Sequence, residues 1–263
     1  MKRGPTPTKR ALVLGGALFA CLVQAAFAAE IKVLSAGAVE PGIRPVLAGF
    51  EKASGHQVTL AFATAPQIRQ RVEAGAAFDV VIAPPAVLDE LEQASKIVAD
   101  RTQRVAIGRV GVGVAVRPGA PLPDISTAQS LTGEVLAADS LVFNRASTGL
   151  YFETVLKKLG VESQALTKTT RYPDGASVME HVLRGQGREL GFGAITEILL
   201  LRDKGLQLVG SLPPELQNLT AYVAAATAPT ASAAPEAVRA LLQHLGSPAA
   251  RAGYAAAGIA QAP

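Results

Sequence analysis

From Ile31 onward, short apolar runs alternate with segments whose apolar residues recur at helical spacing, the signature of an open α/β sheet. The run "IKVLSAG" predicts a buried strand ending at Gly37. Pro41 to Lys52 predicts a helix, with the proline in the first turn, where its missing N–H is no loss. A strand at "HQVTLAFA" and a helix at "PQIRQRVEAG" closed by Gly75 follow, then a strand at "FDVVIA", Pro84, Pro85 and the helix "AVLDELEQA". These three strand–loop–helix units predict one lobe. The Val- and Gly-rich run "RVAIGRVGVGVAV" predicts a long strand leading to a second lobe.

Between Ile125 and Pro213 the alternation repeats, with strands at "DSLVFN" and "LGFGA" and helices at "GLYFETVLKKLG", "SVMEHVLRGQG" and Thr196 to Lys204. A second extended run, "QNLTAYVAAAT", returns the chain, and the helices "PEAVRALLQHLG" and "PAARAGYAAAG" are expected to pack on the first lobe. "TAPTASAAP" at 227–235 reads as a loop. The expected organisation is therefore a segment 1–28 ahead of the fold, one lobe from 29–108 with 218–263, and a second lobe from 109–217.

The segment before Glu30 changes the reading of charge. Lys2, Arg3, Lys9 and Arg10 precede an apolar stretch from Ala11 to Val23, and Ala26, Phe27 and Ala28 follow it, the three parts of a secretory signal. Cleavage is expected after Ala28 or Ala29. The apolar stretch falls short of the roughly 20 residues that a membrane span needs. The only cysteine, Cys21, follows Leu18, Phe19 and Ala20 and resembles a lipoprotein signal in part; cleavage there is the alternative. The formal charge of +4 over 263 residues comes from those four basic residues, and without them 21 cationic side chains face 21 acidic ones. A neutral chain with no Trp and 5% aromatics lacks the basic stripe and stacking rings that nucleic acid requires. An exported protein with no cysteine after the leader is stable without disulfides.

Candidate chemistry lies at strand-to-helix junctions, where a ligand meets backbone N–H groups and the positive end of a helix dipole. Four stand out: "SAGAVEP" at 35–41, "ATAPQ" at 63–67, "NRASTG" at 144–149 and "PDGAS" at 173–177. Small residues allow close backbone approach, and Ser35, Thr64, Ser147, Thr148 and Ser177 offer hydroxyls. Each junction alone is also an ordinary helix cap. The histidines His56, His181 and His244 lack metal-ligand spacing, and no Ser–His–Asp set can be assembled from order or spacing. No cofactor is expected.

The segments "IKVLSAGAVEP", "FEKASGHQVTLAFATAPQIRQRVEAGAAFDVVIA", "STGLYFETVLKKLG", "RELGFGAITEI" and "LGSPAARAGYAAAGI" resemble the molybdate-type family of periplasmic solute-binding proteins, from about Ile31 to Gly258. The resemblance implies the type II periplasmic binding fold: two α/β lobes joined by two crossover strands, closing on a small anion that is delivered to an ABC importer. In molybdate binders the first two loops each supply a serine hydroxyl, and a tyrosine supplies a third donor. By this resemblance those places are Ala38, Ala65 and Ala194. Each lost hydrogen bond to an anion costs about 1.5–3 kcal/mol, so molybdate and tungstate are not the expected tight ligands. Backbone donors near Thr148 and Ala176 remain.

Arginines appear instead: Arg145 opens the "RASTG" loop, and Arg69 lies on the helix after the second loop. Guanidinium forks match carboxylates, so the expected ligand is a small organic carboxylate with Arg145 as its charged clamp, helped by Ser147, Thr148 and the backbone at Ala176. Arg44 and Arg71 read as solvated helix-face residues. The first functional reading is a monomeric exported receptor for an ABC permease. The family also includes a periplasmic isomerase of the tricarboxylate aconitate, so the alternative is proton abstraction and return without metal, with Glu40 or Tyr151 carrying the proton. Asp174 and Glu197 are the other titratable residues expected near the cleft.

Overall fold

The computed structural model describes Met1, residues 28–228 and residues 234–261. The expected leader, with Cys21, and most of the 227–235 loop lie outside the described residues. The first βα units are β1 (Glu30–Ala36), α1 (Glu40–Ser54), β2 (Gln57–Ala63), α2 (Ala65–Glu73), β3 (Val80–Ala83) and α3 (Pro85–Gln93). β1 pairs parallel with β2 on one side and β3 on the other, which buries Ile31, Val33 and Leu34 completely. Parallel pairing demands helical crossovers, and α1 and α2 supply them.

A long strand, β4 (Val105–Val116), then leads into α4 (Ala128–Ala137), β5 (Ser140–Asn144), α5 (Ser147–Lys158), α6 (Glu162–Leu166), β6 (Thr169–Tyr172), α7 (Gly175–Arg184), β7 (Glu189–Ala194), α8 (Ile195–Leu200) and β8 (Gln207–Ser211). The chain returns through β9 (Leu219–Ala226) and ends in α9 (Pro235–Leu245) and α10 (Pro248–Ala256). The strand order is β2-β1-β3-β9-β4-β7-β5-β6, with β8 on the other side of β4. This is the expected α/β architecture of two lobes with two crossover strands. One core gathers residues from Ile31 to Val110 with Tyr222 to Ile259, and another gathers Val112 to Leu216. The C-terminal helices pack on α1, where Gly42 leaves room for Tyr254 and Ile259.

β4 belongs to both halves. Its first part pairs with β9, and its second part pairs with β7 and β8. At the changeover Gln217 stands in for a strand: its Oε1 accepts the Val112 N–H at 2.9 Å and its Nε2 donates to the Val112 carbonyl at 2.8 Å. The ladder slips near Gly108, whose φ of +143° and crowding by the Ala260 carbonyl exclude a side chain.

The pattern of apolar residues did not reveal β6, β8, α4 or α6. β6 is a four-residue edge strand with no fully buried residue, and β8 is only partly buried. α4 buries only Leu131 and Val135, too few for a helical stripe. The helix expected from Thr196 to Lys204 stops at Leu200, and Arg202–Lys204 forms a 3-10 turn closed by Gly205 in the left-handed region.

Candidate functional site

Between the lobes lies a cavity of about 280 Å³, bounded by the C-terminal ends of β1, β2 and β5, the starts of α2, α5 and α7, helix α8, and β9. Its wall on the first-lobe side is formed by Ala36, Gly37, Ala38, Phe62, Ala63, Thr64 and Ala65, with Glu40 and Gln67. The opposing wall is formed by Asn144, Ala146, Ser147, Thr148, Asp174, Gly175, Ala176 and Glu197. Among the described residues no Lys, Arg or His lines it.

Two helix starts on the second lobe are built to leave amides free. Buried Asn144 ends β5, and its Oδ1 accepts the N–H groups of Ala146 at 3.0 Å and Gly149 at 2.9 Å. Gly149 is required there, because a Cβ would overlap the Asn144 carbonyl. At α7 the Asp174 Oδ1 accepts the Ser177 N–H at 2.8 Å. With those donors satisfied, the amides of Ser147, Thr148, Gly175 and Ala176 have no acceptor among the described residues. A helix start of this kind carries positive potential without a charged side chain.

The cavity's titratable groups are acidic. Glu40 is paired with Arg44, whose guanidinium lies 4.8 Å from the Phe62 ring centre, and Glu180 is paired with Arg184. Glu197 has no cationic partner among the described residues. Its Oε2 accepts only the Ala194 N–H, at 3.3 Å, and its carboxyl rests against Gly37, Gly175 and Gly193, where a Cβ at Gly175 would overlap it. Burial pushes the Glu197 carboxyl from its ordinary 4.5 up to about 7; the Ala194 N–H offsets part of the rise, and the charges of Asp174 and Glu40 add to it. Next to Glu197, Thr196 donates its hydroxyl to the Ala38 carbonyl, a bond that ties α8 to the first lobe. Tyr222 of β9 is 5% exposed, faces the cavity and has its phenol pushed up by burial, with the Glu197 charge adding.

The structure brings together Glu40, Ala38, Thr64, Ala65, Ser147, Thr148, Asp174, Ala176 and Glu197. The other expected residues lie elsewhere. Arg145 is exposed and does not line the cavity, because Asn144 turns the chain there and Arg145 donates its N–H to the Tyr172 carbonyl at 2.8 Å. Arg69 points outward to Glu90, at 2.8 Å. Tyr151 faces away from the cleft and donates to the Leu216 carbonyl at 2.8 Å. Ser35 is fully buried in β1, its hydroxyl on the Ala36 carbonyl at 3.2 Å. Ser177 faces an open groove behind α7 instead of the cavity. Ala194, expected where a tyrosine donor stands in molybdate binders, also lies off the cavity wall.

Sequence reading missed Asn144, Phe62 and Tyr222. Asn144 carries a signal, an Asn at the end of an apolar run just before a small-residue loop. Tyr222 carries none, since a tyrosine in an apolar strand reads as core. Among the described residues no group of three or more His, Cys, Asp or Glu is arranged to hold a metal ion.

Residues 31–260 match the family described as bacterial extracellular solute-binding protein. An aconitate isomerase from Pseudomonas sp is 31% identical over 249 residues, 92% of each chain. The periplasmic molybdate-binding protein of Azotobacter vinelandii superposes with a TM-score of 0.72 at 19% identity, over 89% of this chain and 100% of that one. A sulfate-binding protein from Mycobacterium tuberculosis H37Rv superposes with a TM-score of 0.66 at 18% identity, over 88% of this chain and 86% of that one. The two superpositions concern the fold.

Proposed function

The chain belongs to the bacterial extracellular solute-binding protein family, whose fold encloses small anions, and from that premise we propose that it isomerises a small tricarboxylate of the aconitate class in the periplasm. The observation that carries this reading is Glu197: a carboxyl without a cationic partner, facing the interlobe cavity, with its proton affinity raised to the middle of the physiological range. A receptor needs no such group, whereas a proton carrier must both take and return a proton at working pH. The likeness to an aconitate isomerase along 92% of both chains supports the same reading.

In the proposed reaction the substrate's carboxylates dock on the free amides of Ser147, Thr148, Gly175 and Ala176. Ionised Glu197 removes a proton from the methylene carbon beside the double bond. The C–H electron pair moves into the allylic system, giving a dienolate whose negative charge spreads onto a carboxylate. Glu197, now neutral, returns the proton to the far carbon of the original double bond. The double bond has moved by one position, and no proton, electron or group is gained or lost. Helix-start amides on the cavity wall, fixed by the helices and without an acceptor among the described residues, stabilise the developing charge. Glu40, held by Arg44, contributes negative potential that strengthens Glu197 as a base.

Purified protein mixed with cis- or trans-aconitate is expected to interconvert the two, read as a change in ultraviolet absorbance and, in deuterium oxide, as deuterium entering the allylic carbons. Tight binding of either isomer with no interconversion would sink the enzymatic reading. A second reading, delivery of an anion to an ABC permease, is favoured by the two-lobed cavity and by relatives that bind molybdate or sulfate. It predicts that stable binding is the end point.

A further inference from the structure

The chain contains four tyrosines, and three have committed their hydroxyls to the protein. Tyr151 donates to the Leu216 carbonyl at 2.8 Å, Tyr254 donates to the Leu245 carbonyl at 3.1 Å, and Tyr172 pairs with the His181 ring at 2.8 Å. Tyr222 is 5% exposed, yet among the described residues its hydroxyl has no partner. A buried phenol normally finds a partner, because leaving the group unsatisfied costs about 1–3 kcal/mol. The Tyr222 oxygen is not sealed in the core: among the described residues the only side-chain atoms wholly enclosed without a partner are Arg104 Nε and Glu189 Oε2, and Tyr222 lies on the wall of the interlobe cavity. Its unmet hydrogen-bonding capacity is therefore open to whatever occupies that cavity.

We propose that Tyr222 is a second catalytic residue, donating its phenolic hydrogen to the substrate carboxylate on which negative charge develops when Glu197 removes the proton. This rests on the isomerase reading above. Position suits the role: Tyr222 stands opposite Gly108 in the β4–β9 pair, on the crossover between the lobes, so its ring is anchored by backbone pairing. Burial keeps the phenol neutral across the physiological range, so it remains a donor while Glu197 changes charge. Its counterpart amides lie on α5 and α7, so one ligand between them is held from two sides.

The test is Tyr222→Phe in the full chain, which keeps the ring and removes only the hydroxyl. Because that hydroxyl has no protein partner, the melting temperature is expected to remain within a few degrees of the wild type. Isomerisation should fall 10- to 100-fold in kcat, with KM within about threefold, since the bond strengthens as charge develops. Tricarballylate, the saturated analogue, should perturb tyrosine absorbance in the wild type, and the perturbation should vanish in the variant. The absence of Trp leaves that signal to four tyrosines. A variant isomerising at the wild-type rate would overturn the role of Tyr222 while leaving that of Glu197 intact. A wild type that binds tricarballylate but isomerises nothing would defeat the catalytic role together with the isomerase reading, and the tyrosine signal would then report whether the hydroxyl touches the ligand at all.

Discussion

The two lobes begin their helices differently. On the first lobe α1, α2 and α3, together with α9 and α10 that pack there, all carry proline in their first two positions. On the second, α4 to α8 carry none. Proline at a helix start is compatible with the helix but deletes one of the amides that would otherwise point out of its end. At α2 the deletion combines with Gln67, whose side chain takes the Thr64 N–H at 3.0 Å, and little donor capacity remains. At α5 and α7 the capping residues Asn144 and Asp174 satisfy the deeper donors and leave two amides on each helix. The first lobe thus supplies an apolar wall of alanines and Phe62, while the second supplies the oriented dipoles and the uncompensated carboxyl. In a cleft without cationic side chains, that difference decides which lobe an anion engages first.

The strongest way to break this comparison is to neutralise the second lobe's acid. Glu197→Gln should lower isomerisation by about 10²–10⁴-fold while tricarballylate still binds. In the wild type kcat/KM should rise with pH through about 7, following ionisation of Glu197, and the rise should be absent from the residual activity of the variant. Retained activity in Glu197→Gln would move the proton carrier elsewhere, Glu40 first.

The same carboxyl leaves a signature in stability. The folded protein keeps a proton on Glu197 between pH 4.5 and about 7, an interval in which the unfolded chain has released it, so this group's contribution falls as pH rises through that window. The loss is on the order of 3 kcal/mol. Denaturant titrations at pH 5 and pH 8 should show a smaller difference in Glu197→Gln than in the wild type, and equal differences would contradict the raised proton affinity.

Gly175→Ala places a methyl group where the Glu197 carboxyl sits and should lower kcat about 100-fold by displacing it, because small misplacements of a reacting group are costly. Wild-type kinetics in that variant would show that the glycine cradle does not position the acid. Ser147→Pro imports the first lobe's helix start into the second. Ala146 is already extended, as a residue before proline must be, so α5 should persist by circular dichroism. Calorimetry should find tricarballylate weakened by about 1.5–3 kcal/mol through the lost amide. The smallest effect is expected from Arg145→Ala, whose guanidinium is exposed and off the wall: ligand affinity should change less than about threefold. A loss of several kcal/mol would show that the side chain turns inward when ligand binds, and would restore a charged clamp to the second lobe.

The alternation of apolar runs and helical stripes made the βα units readable, because each strand buried on both faces and each amphipathic helix records its environment in its own residues. The junction loops were legible for a related reason: small residues after a strand mark where backbone approaches something. Edge strands such as β6 left no comparable record, since a half-exposed strand of four residues needs no apolar run. The site residues divide along the same line. Local pattern marked the junction loops that hold Thr64, Thr148 and Ala176, and the family resemblance singled out Ala38, whereas neither could place Arg145, because whether a loop side chain faces in or out depends on how Asn144 hydrogen-bonds the turn.

The sequence by itself determined the two-lobed α/β scaffold, the helix starts and which of them carry proline, since these follow from residues close together in the chain. Only the tertiary structure decided the chemistry of the cleft. Burial raises the proton affinity of Glu197, whose carboxyl lies against Gly193 from its own stretch of chain and against Gly37 and Gly175 from distant ones, and Asp174 and Glu40 add their charge from two other elements. Tyr222 is available because no described residue answers its hydroxyl. Proton affinity and unmet hydrogen bonds are set by surroundings, and those surroundings are assembled from residues that no local pattern connects.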